Sequence, residues 1–536
     1  MNDDTVDYIV IGAGSAGSVL ANRLSTSGKH QVLLLEAGRA GHPLARFPFS
    51  YAKFLDNPAV NWLYKSEPEE GTANRRLPVP RGKMLGGSSS INGLVFVRGQ
   101  AQDFDTWAQL GNRGWSYEDV LPIFKDMENY SSGGNNEFRG NNGPLKISDT
   151  LEKGMLYEKI IEAANHHGIE FTGDYNGKTQ DGVCMSQTTI SNGRRMSTAH
   201  CYLDPARTRQ NLKIKANAFV ETLILEGKKC IGVQYKERGQ TRILRTRREV
   251  IVSGGTINSP KILELSGIGR PDLLKEHGIN VAHELKGVGE NLRDHFSPRF
   301  RWSVPKQLGL TYNEKGRGIR LVGQALRYVF TKKGLLGMSS GPIRAFVRTR
   351  EGLYAPNAMI VWFPFLVGEN TTTLDKNSGI SAAAHILRSE STGSVHIASP
   401  DPKQPPSINF NVLSAQLDRE VTLEVARLAR NIMQAPPLQN IVQEELSPGT
   451  DISSDQDVLN WIKETGGTTY HPVGTCKMGN DPMAVVDSEL RVHGMNGLRV
   501  ADASIMPTLT SGNTNAPSIM IGEKASKMIL STVAEN

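Results

Sequence analysis

The chain has 536 residues, 61 of them Lys or Arg and 54 Asp or Glu, which gives a formal net charge of +7. That length implies two or more domains, and so modest and scattered a charge argues against a nucleic-acid partner. No run approaches the ~20 apolar residues that span a bilayer.

Four cysteines, Cys184, Cys201, Cys230 and Cys476, lie far apart without a C-x-x-C pair. The usual zinc and dithiol spacings are therefore missing, and no metal ligand is assigned. Free thiols and an acidic start with no cationic, apolar leader pattern point to the cytoplasm. Peripheral contact with the inner membrane is left open.

The first element is a strand running into glycines, Tyr8-Ile9-Val10-Ile11-Gly12-Ala13-Gly14-Ser15-Ala16-Gly17, followed by Val19, Leu20 and Leu24 at helical spacing. A second strand, Val32 to Leu35, ends on Glu36 and Ala37. Strand, G-x-G-x-x-G loop, helix, strand and acid in this order form a dinucleotide cradle. Gly12 permits the tight turn and Gly14 lets the backbone approach a pyrophosphate. Gly17 lets the helix pack against the strand, and Glu36 is placed to accept from an adenosine ribose.

Residues 66–100 are rich in Gly, Ser, Pro and Arg and too long for a plain connector. Within them Arg81-Gly82-Lys83-Met84-Leu85-Gly86-Gly87-Ser88-Ser89-Ser90-Ile91-Asn92-Gly93 offers N–H and O–H groups suited to a polar cofactor edge. A helix is predicted over Tyr117 to Met127. Residues 211–252 read as paired strands, with the basic run Arg242 to Arg248 as a solvated hairpin edge. Gly254 to Pro260 is a strand-to-helix turn. Segment 300–460, with alternating strands such as Ala358 to Phe363, is taken as a second, sheet-based domain. From Leu498 the pattern returns to strand, loop and helix.

Together these segments resemble the two signature patterns of the glucose–methanol–choline (GMC) flavoprotein oxidoreductases. Further pieces match in order: Phe104-Asp105-Thr106-Trp107, Arg195 to Ala199, Gly287 to His295, and Ala501-Asp502-Ala503-Ser504. The likeness spans nearly the whole chain and is greatest to the bacterial choline-dehydrogenase-like branch, with L-sorbose and other alcohol dehydrogenases. It implies an α/β, Rossmann-like, doubly wound FAD-binding domain over residues 1–155, 195–300 and 465–536. An α+β substrate-binding domain with an antiparallel sheet is expected over 156–194 and 301–464.

The resemblance also implies FAD. Its contacts are expected from Gly12, Gly14, Ser15, Ala16, Gly17, Glu36, Ala37, Arg81, Met84, Gly86, Gly87, Ser88, Asn92, Gly93, Val220, Gly254, Asp502, Ala503, Asn515 and Ala516. The flavin is expected to be non-covalent, because Ile91 stands where some relatives carry the linking His.

The family's catalytic His corresponds to His471 in Thr469-Tyr470-His471-Pro472. A neutral imidazole there accepts the hydroxyl proton while hydride passes from the alcohol carbon to flavin N5, giving an aldehyde or ketone. The family's second position, His or Asn, is read as Asn515, an amide that orients the substrate oxygen but takes no proton at pH 7. Asn515 also opens a helix with Pro517 in its first turn.

Choline-type relatives carry a Glu near the strand Ser340 to Phe346, where this chain has Arg344 and no acid. The substrate is therefore expected to be a neutral or anionic alcohol, lined by Arg344, Trp362, Phe365 and Tyr470. The electron acceptor is O2, a quinone or another carrier. Choline dehydrogenation is the alternative within the family, and an FAD-containing hydroxynitrile lyase the alternative outside redox chemistry.

Overall fold

Two sheets organise the molecule, and each gathers strands from distant parts of the chain. The structure is a computed structural model that describes residues 5–368 and 373–534. In chain order the strands of these sheets are β1 (Thr5–Ile11), β2 (Val32–Glu36), β3 (Gly182–Met185), β4 (Leu212–Ala216), β5 (Ala218–Glu226), β6 (Lys229–Glu237) and β7 (Gln240–Val252). There follow β8 (Arg299–Ser303), β9 (Ile343–Val347), β10 (Ala358–Phe363), β11 (Gly379–Ile386), β12 (Glu444–Ser447) and β13 (Leu498–Val500). The helices used below are α1 (Ser15–Leu24), α2 (Tyr117–Met127), α3 (Gly255–Leu265), α4 (Gly318–Thr331), α5 (Gln416–Gln434) and α6 (Asn515–Ala534).

The first sheet runs β4-β2-β1-β7-β6-β5, with β13 also paired to β7. Its parallel part sets Ile9 beside Leu33 on one side and Val250 on the other. Ile9, Val10, Leu34 and Val250 are completely buried, as strands covered on both faces must be, which is why they read as unbroken apolar runs. Helices α1 and α6 are clasped by Arg23, whose Nε and Nη2 donate to Glu523 at 2.8 and 2.7 Å. Helix α2 is opened by a Ser116 capping box.

The basic run Arg242 to Arg248 is a solvated hairpin arm only over its first residues. It belongs to β7, which lies between β1 and β6. The first pairing with β1 is at Arg245, so residues 240–244 overhang that neighbour and carry their charge in solvent. Arg242, Arg245 and Arg247 reach Glu237, Glu226 and Asp7 from there.

The second sheet is antiparallel, in the order β12-β8-β11-β10-β9-β3. One face packs on α5, where Val425, Ala429 and Ile432 share a core with Ile360, Trp362, Ala382 and Ala384. The alternate residues of the same strands, among them Met359, Val361, Phe363, Ser381, Ala383 and His385, face a cavity. Period-two alternation thus divides each strand between core and site. Among the described residues no helix is long and apolar enough to cross a membrane.

Candidate active site

The cavity has a volume of about 860 Å³ and is lined by the glycine loops of the first sheet and the free face of the second. At one end a Cβ on Gly12, whose φ is +94°, would fall 2.4 Å from the Ser253 carbonyl oxygen. A Cβ on Gly87 would fall 2.7 Å from the Gly14 Cα. The two glycine loops therefore meet backbone to backbone, tied by the Gly86 N–H donating to the Ala13 carbonyl at 2.7 Å. Nothing lies within 4 Å of a Cβ placed on Gly14, so the N-terminus of α1 is open to the cavity.

Glu36 closes this end. Its oxygens accept from the Ala13 and Gly38 N–H groups at 2.9 and 2.8 Å, and burial pushes its carboxyl up to about 7 against those donors. Asp502 accepts from the Gly255 N–H at 2.8 Å and the Ser259 hydroxyl at 2.6 Å, holding the start of α3. Backbone donors at a helix N-terminus for a pyrophosphate, and a buried acid one strand away for a ribose, suit FAD.

Ser15, Ala16, Ala37, Arg81, Ser88, Asn92, Gly93, Val220, Gly254, Ala503 and Asn515 line the same cavity, as does Ile91. Four expected contacts lie off its wall. A Cβ on Gly17 would fall 1.9 Å from the Gly12 carbonyl oxygen, so that glycine serves helix-on-strand packing. Met84 is buried with Phe54 and Val60, Gly86 is spent on joining the loops, and Ala516 is in the main core.

At the other end, Tyr470 takes a left-handed backbone, φ +69°, and its carbonyl accepts from Arg81 Nη2 at 2.7 Å. The His471 N–H donates to Asp294 Oδ1 at 2.9 Å. These contacts aim the imidazole into a row of hydrogen bonds. Arg344 Nη1 lies 3.2 Å from Asn513 Oδ1, and Asn513 Nδ2 lies 2.8 Å from His471 Nε2. His471 Nδ1 is 3.1 Å from His295 Nδ1 and 2.9 Å from the Thr469 hydroxyl. His295 Nε2 is 2.8 Å from the Leu387 carbonyl.

The protons in this row follow from its ends. A guanidinium only donates and a carbonyl only accepts. Arg344 therefore fixes the Asn513 oxygen as acceptor, which turns the amide N–H toward His471. Leu387 takes the His295 Nε2–H, which leaves His295 Nδ1 bare to accept from His471 Nδ1–H. His471 is thus assigned as the Nδ1–H tautomer with its Nε2 lone pair toward the cavity.

Burial, then His385, Arg81 and Arg344, hold the His471 pKa well below the ordinary histidine value. Burial lowers His385 to about 4 and, with His385 and His471 nearby, drives His295 well down too. Ligand atoms of Asp294, His295 and His471 converge within 4.8 Å, and both imidazoles use both ring nitrogens within the relay.

Two expected site residues are corrected. Asn515 does not reach His471: its Oδ1 accepts from the Ser15 hydroxyl at 2.8 Å, because it starts α6, and the amide beside the imidazole is Asn513, two residues earlier. Trp362 is completely buried in the α5-facing core, since odd-numbered residues of β10 face the cavity. Phe365, Tyr470 and Arg344 do line it. Arg344 is 1% exposed, its Nε donates to Ser186 at 2.9 Å, and among the described residues it forms no ion pair. His295 and His385 escape sequence reasoning. His295 closes the Gly287–His295 motif and could have been found there.

The GMC oxidoreductase family matches residues 6–297 and 389–522. The chain is 42% identical over 530 residues to the oxygen-dependent choline dehydrogenase of Brucella anthropi, across 98% of this chain and 95% of that one. It is 39% identical to the oxygen-dependent choline dehydrogenase of Vibrio vulnificus, across 98% and 94%. Among solved structures, pyridoxine 4-oxidase from Mesorbium loti matches with a TM-score of 0.87 at 29% identity, covering 97% of this chain and 98% of that one. The R554K variant of Aspergillus oryzae RIB40 formate oxidase gives 0.92 at 25% identity, with 100% of both chains covered. Through both sheets and over nearly its whole length, then, this chain belongs to the GMC oxidoreductases and is an FAD-dependent enzyme acting on CH–OH donors.

Proposed function

We propose that the chain oxidises a neutral or anionic alcohol to its aldehyde or ketone, with His471 Nε2 as general base and Asn513 as the group that orients the hydroxyl. The observation that carries this is the one-way hydrogen-bond row from Arg344 to Leu387, which leaves the His471 Nε2 lone pair toward the cavity with Asn513 as its donor. FAD, held by the glycine loops, Glu36 and the start of α1, supplies the two-electron acceptor. An alcohol donating its O–H to Nε2 displaces the Asn513 N–H, which then donates to the alcohol oxygen. Burial and the nearby cations keep the imidazole neutral beforehand and favour release of the proton afterwards.

Charge supports the substrate class. Among the described residues the carboxylates lining the cavity, Glu36 and Asp502, belong to the cofactor end, whereas Arg344 stands beside His471 and Asn513. A quaternary ammonium at that end meets the Arg344 cation and, among the described residues lining the cavity there, no carboxylate. Choline is the second reading, favoured by the identity to choline dehydrogenases.

Anaerobic bleaching of the flavin by choline, an aromatic alcohol, a polyol and a hydroxy acid separates the two. Faster bleaching by choline overturns the neutral-or-anionic reading, and cyanohydrin cleavage without bleaching marks a lyase. Repeating the panel with O2, a quinone and an artificial dye identifies the acceptor.

A further inference from the structure

Helix α4 (Gly318–Thr331) keeps one residue buried, Tyr328, whose hydroxyl donates to the Gly193 carbonyl. Its outer side is apolar. Ile319 is 87% and Phe330 80% exposed, and Val322, Leu326 and Val329 are each more than half exposed. At 100° per residue these five side chains fall on one stripe, opposite Tyr328. A stripe of this length is not left in water without a function.

Its flanks are basic. Between residues 314 and 333 stand Lys315, Arg317, Arg320, Arg327, Lys332 and Lys333 against Glu314 alone, a net +5 in a chain whose total is +7. Glu314 lies 3.3 Å from Arg320 and Glu152 lies 3.5 Å from Arg327. Arg320 and Arg327 are therefore partly balanced, whereas Lys332 and Lys333 at the C-terminal end have no acid between residues 314 and 333 beside them.

From these observations we propose that α4 docks the protein on an anionic lipid bilayer, its apolar stripe in the acyl boundary and its Lys and Arg residues among the headgroups. A second copy of the chain fits less well, because self-pairing would bring two +5 segments together. The site is adjacent: Leu321, on the Tyr328 side of this helix, Arg317 just before it and Leu335 and Leu336 just after it line the cavity. A docked α4 holds one wall of the cavity close to the bilayer, where an apolar alcohol or a lipid-soluble acceptor is concentrated.

The test is flotation of the yellow holoenzyme with vesicles of phosphatidylglycerol and phosphatidylcholine, or of phosphatidylcholine alone, at low and high salt. Binding to the anionic vesicles that weakens with salt is expected. The double variant Ile319→Asp/Phe330→Asp should bind at least ~10-fold less, with unchanged flavin content and turnover of a water-soluble alcohol with a dye. Lys332→Ala/Lys333→Ala should bind up to ~30-fold less, at about 1 kcal/mol per lysine near the surface. Light scattering of both proteins is run alongside. Failure of the natural protein to float, equal flotation of the double variant, or a dimer that this variant splits without any vesicle binding overturns the proposal.

Discussion

Replacing Asn513 by Asp keeps the size and shape of the side chain and exchanges the N–H aimed at His471 Nε2 over 2.8 Å for an anionic oxygen. The oxygen that accepts from Arg344 at 3.2 Å survives. Two acceptors then face each other at hydrogen-bonding distance, an arrangement that is stable only with a proton on Nε2. That proton occupies the lone pair meant for the alcohol.

The direction is fixed. A carboxylate beside an imidazole raises its pKa, the protonated form prevails below the raised value, and the free base returns as pH climbs through it. At neutral pH Asn513→Asp should therefore slow flavin reduction by ~10²–10⁴-fold, the usual cost of losing a general base. Asn513→Ala removes the same donor without adding a charge, so about 1–2 kcal/mol of lost hydrogen bonding gives only ~5–30-fold. The isosteric change is thus the more damaging one. Anaerobic stopped-flow reduction at saturating alcohol, between about pH 6 and 10, measures both. If Asn513→Asp reduces faster than Asn513→Ala at neutral pH, or fails to recover as pH rises, the direction assigned to the relay is wrong.

In the natural protein His471 is held well below 6.5 by burial, His385, Arg81 and Arg344. Its neutral form, and with it the reduction rate, should stay level through neutrality and fall only below the ordinary histidine range; a rate limb at the usual histidine pKa refutes this. His471→Ala should retain its flavin and reduce it ~10²–10⁴-fold more slowly, as read by absorbance and stopped flow. Ile91 offers no atom to bond the isoalloxazine, so acid precipitation should release the yellow colour to the supernatant, and colour kept in the pellet contradicts non-covalent FAD. Trp362→Leu should cost roughly 2–4 kcal/mol in denaturant titrations and leave KM unchanged, as for a core residue. Phe363→Ala should instead move KM, and the reverse pattern would restore Trp362 to the cavity wall.

Much of the cofactor end was legible because its signal is local. Gly12, Gly14, Gly17 and Glu36 lie within one β-α-β unit, and their spacing is set by the same turn that shapes the cradle. The catalytic end depends on meetings between remote segments. Asn513 and Asn515 are the same residue type two positions apart, and only the start of α6 decides which one faces His471 and which faces Ser15. Trp362 was misplaced by strand parity: alternation says that β10 has two faces, but the packing of α5 chooses between them. His295 and His385 come from separate strands and loops, and nothing in their own neighbourhoods announces that their rings lie 4.5 Å apart. The stripe Ile319, Val322, Leu326, Val329 and Phe330 does carry a helical period, yet exposure shows that it faces outward.

Ser15 and Asn515, joined by a 2.8 Å hydrogen bond, are 500 residues apart. The same seam holds Arg23 against Glu523 and adds β13 to β7. During synthesis the glycine cradle leaves the ribosome 500 residues ahead of its facing wall. Over those 500 residues a nascent chain carries half a flavin site, and cofactor uptake has to wait for the segment that carries Asn515. Free FAD consequently acts on finished molecules, stabilising them by mass action across the junction of their two ends.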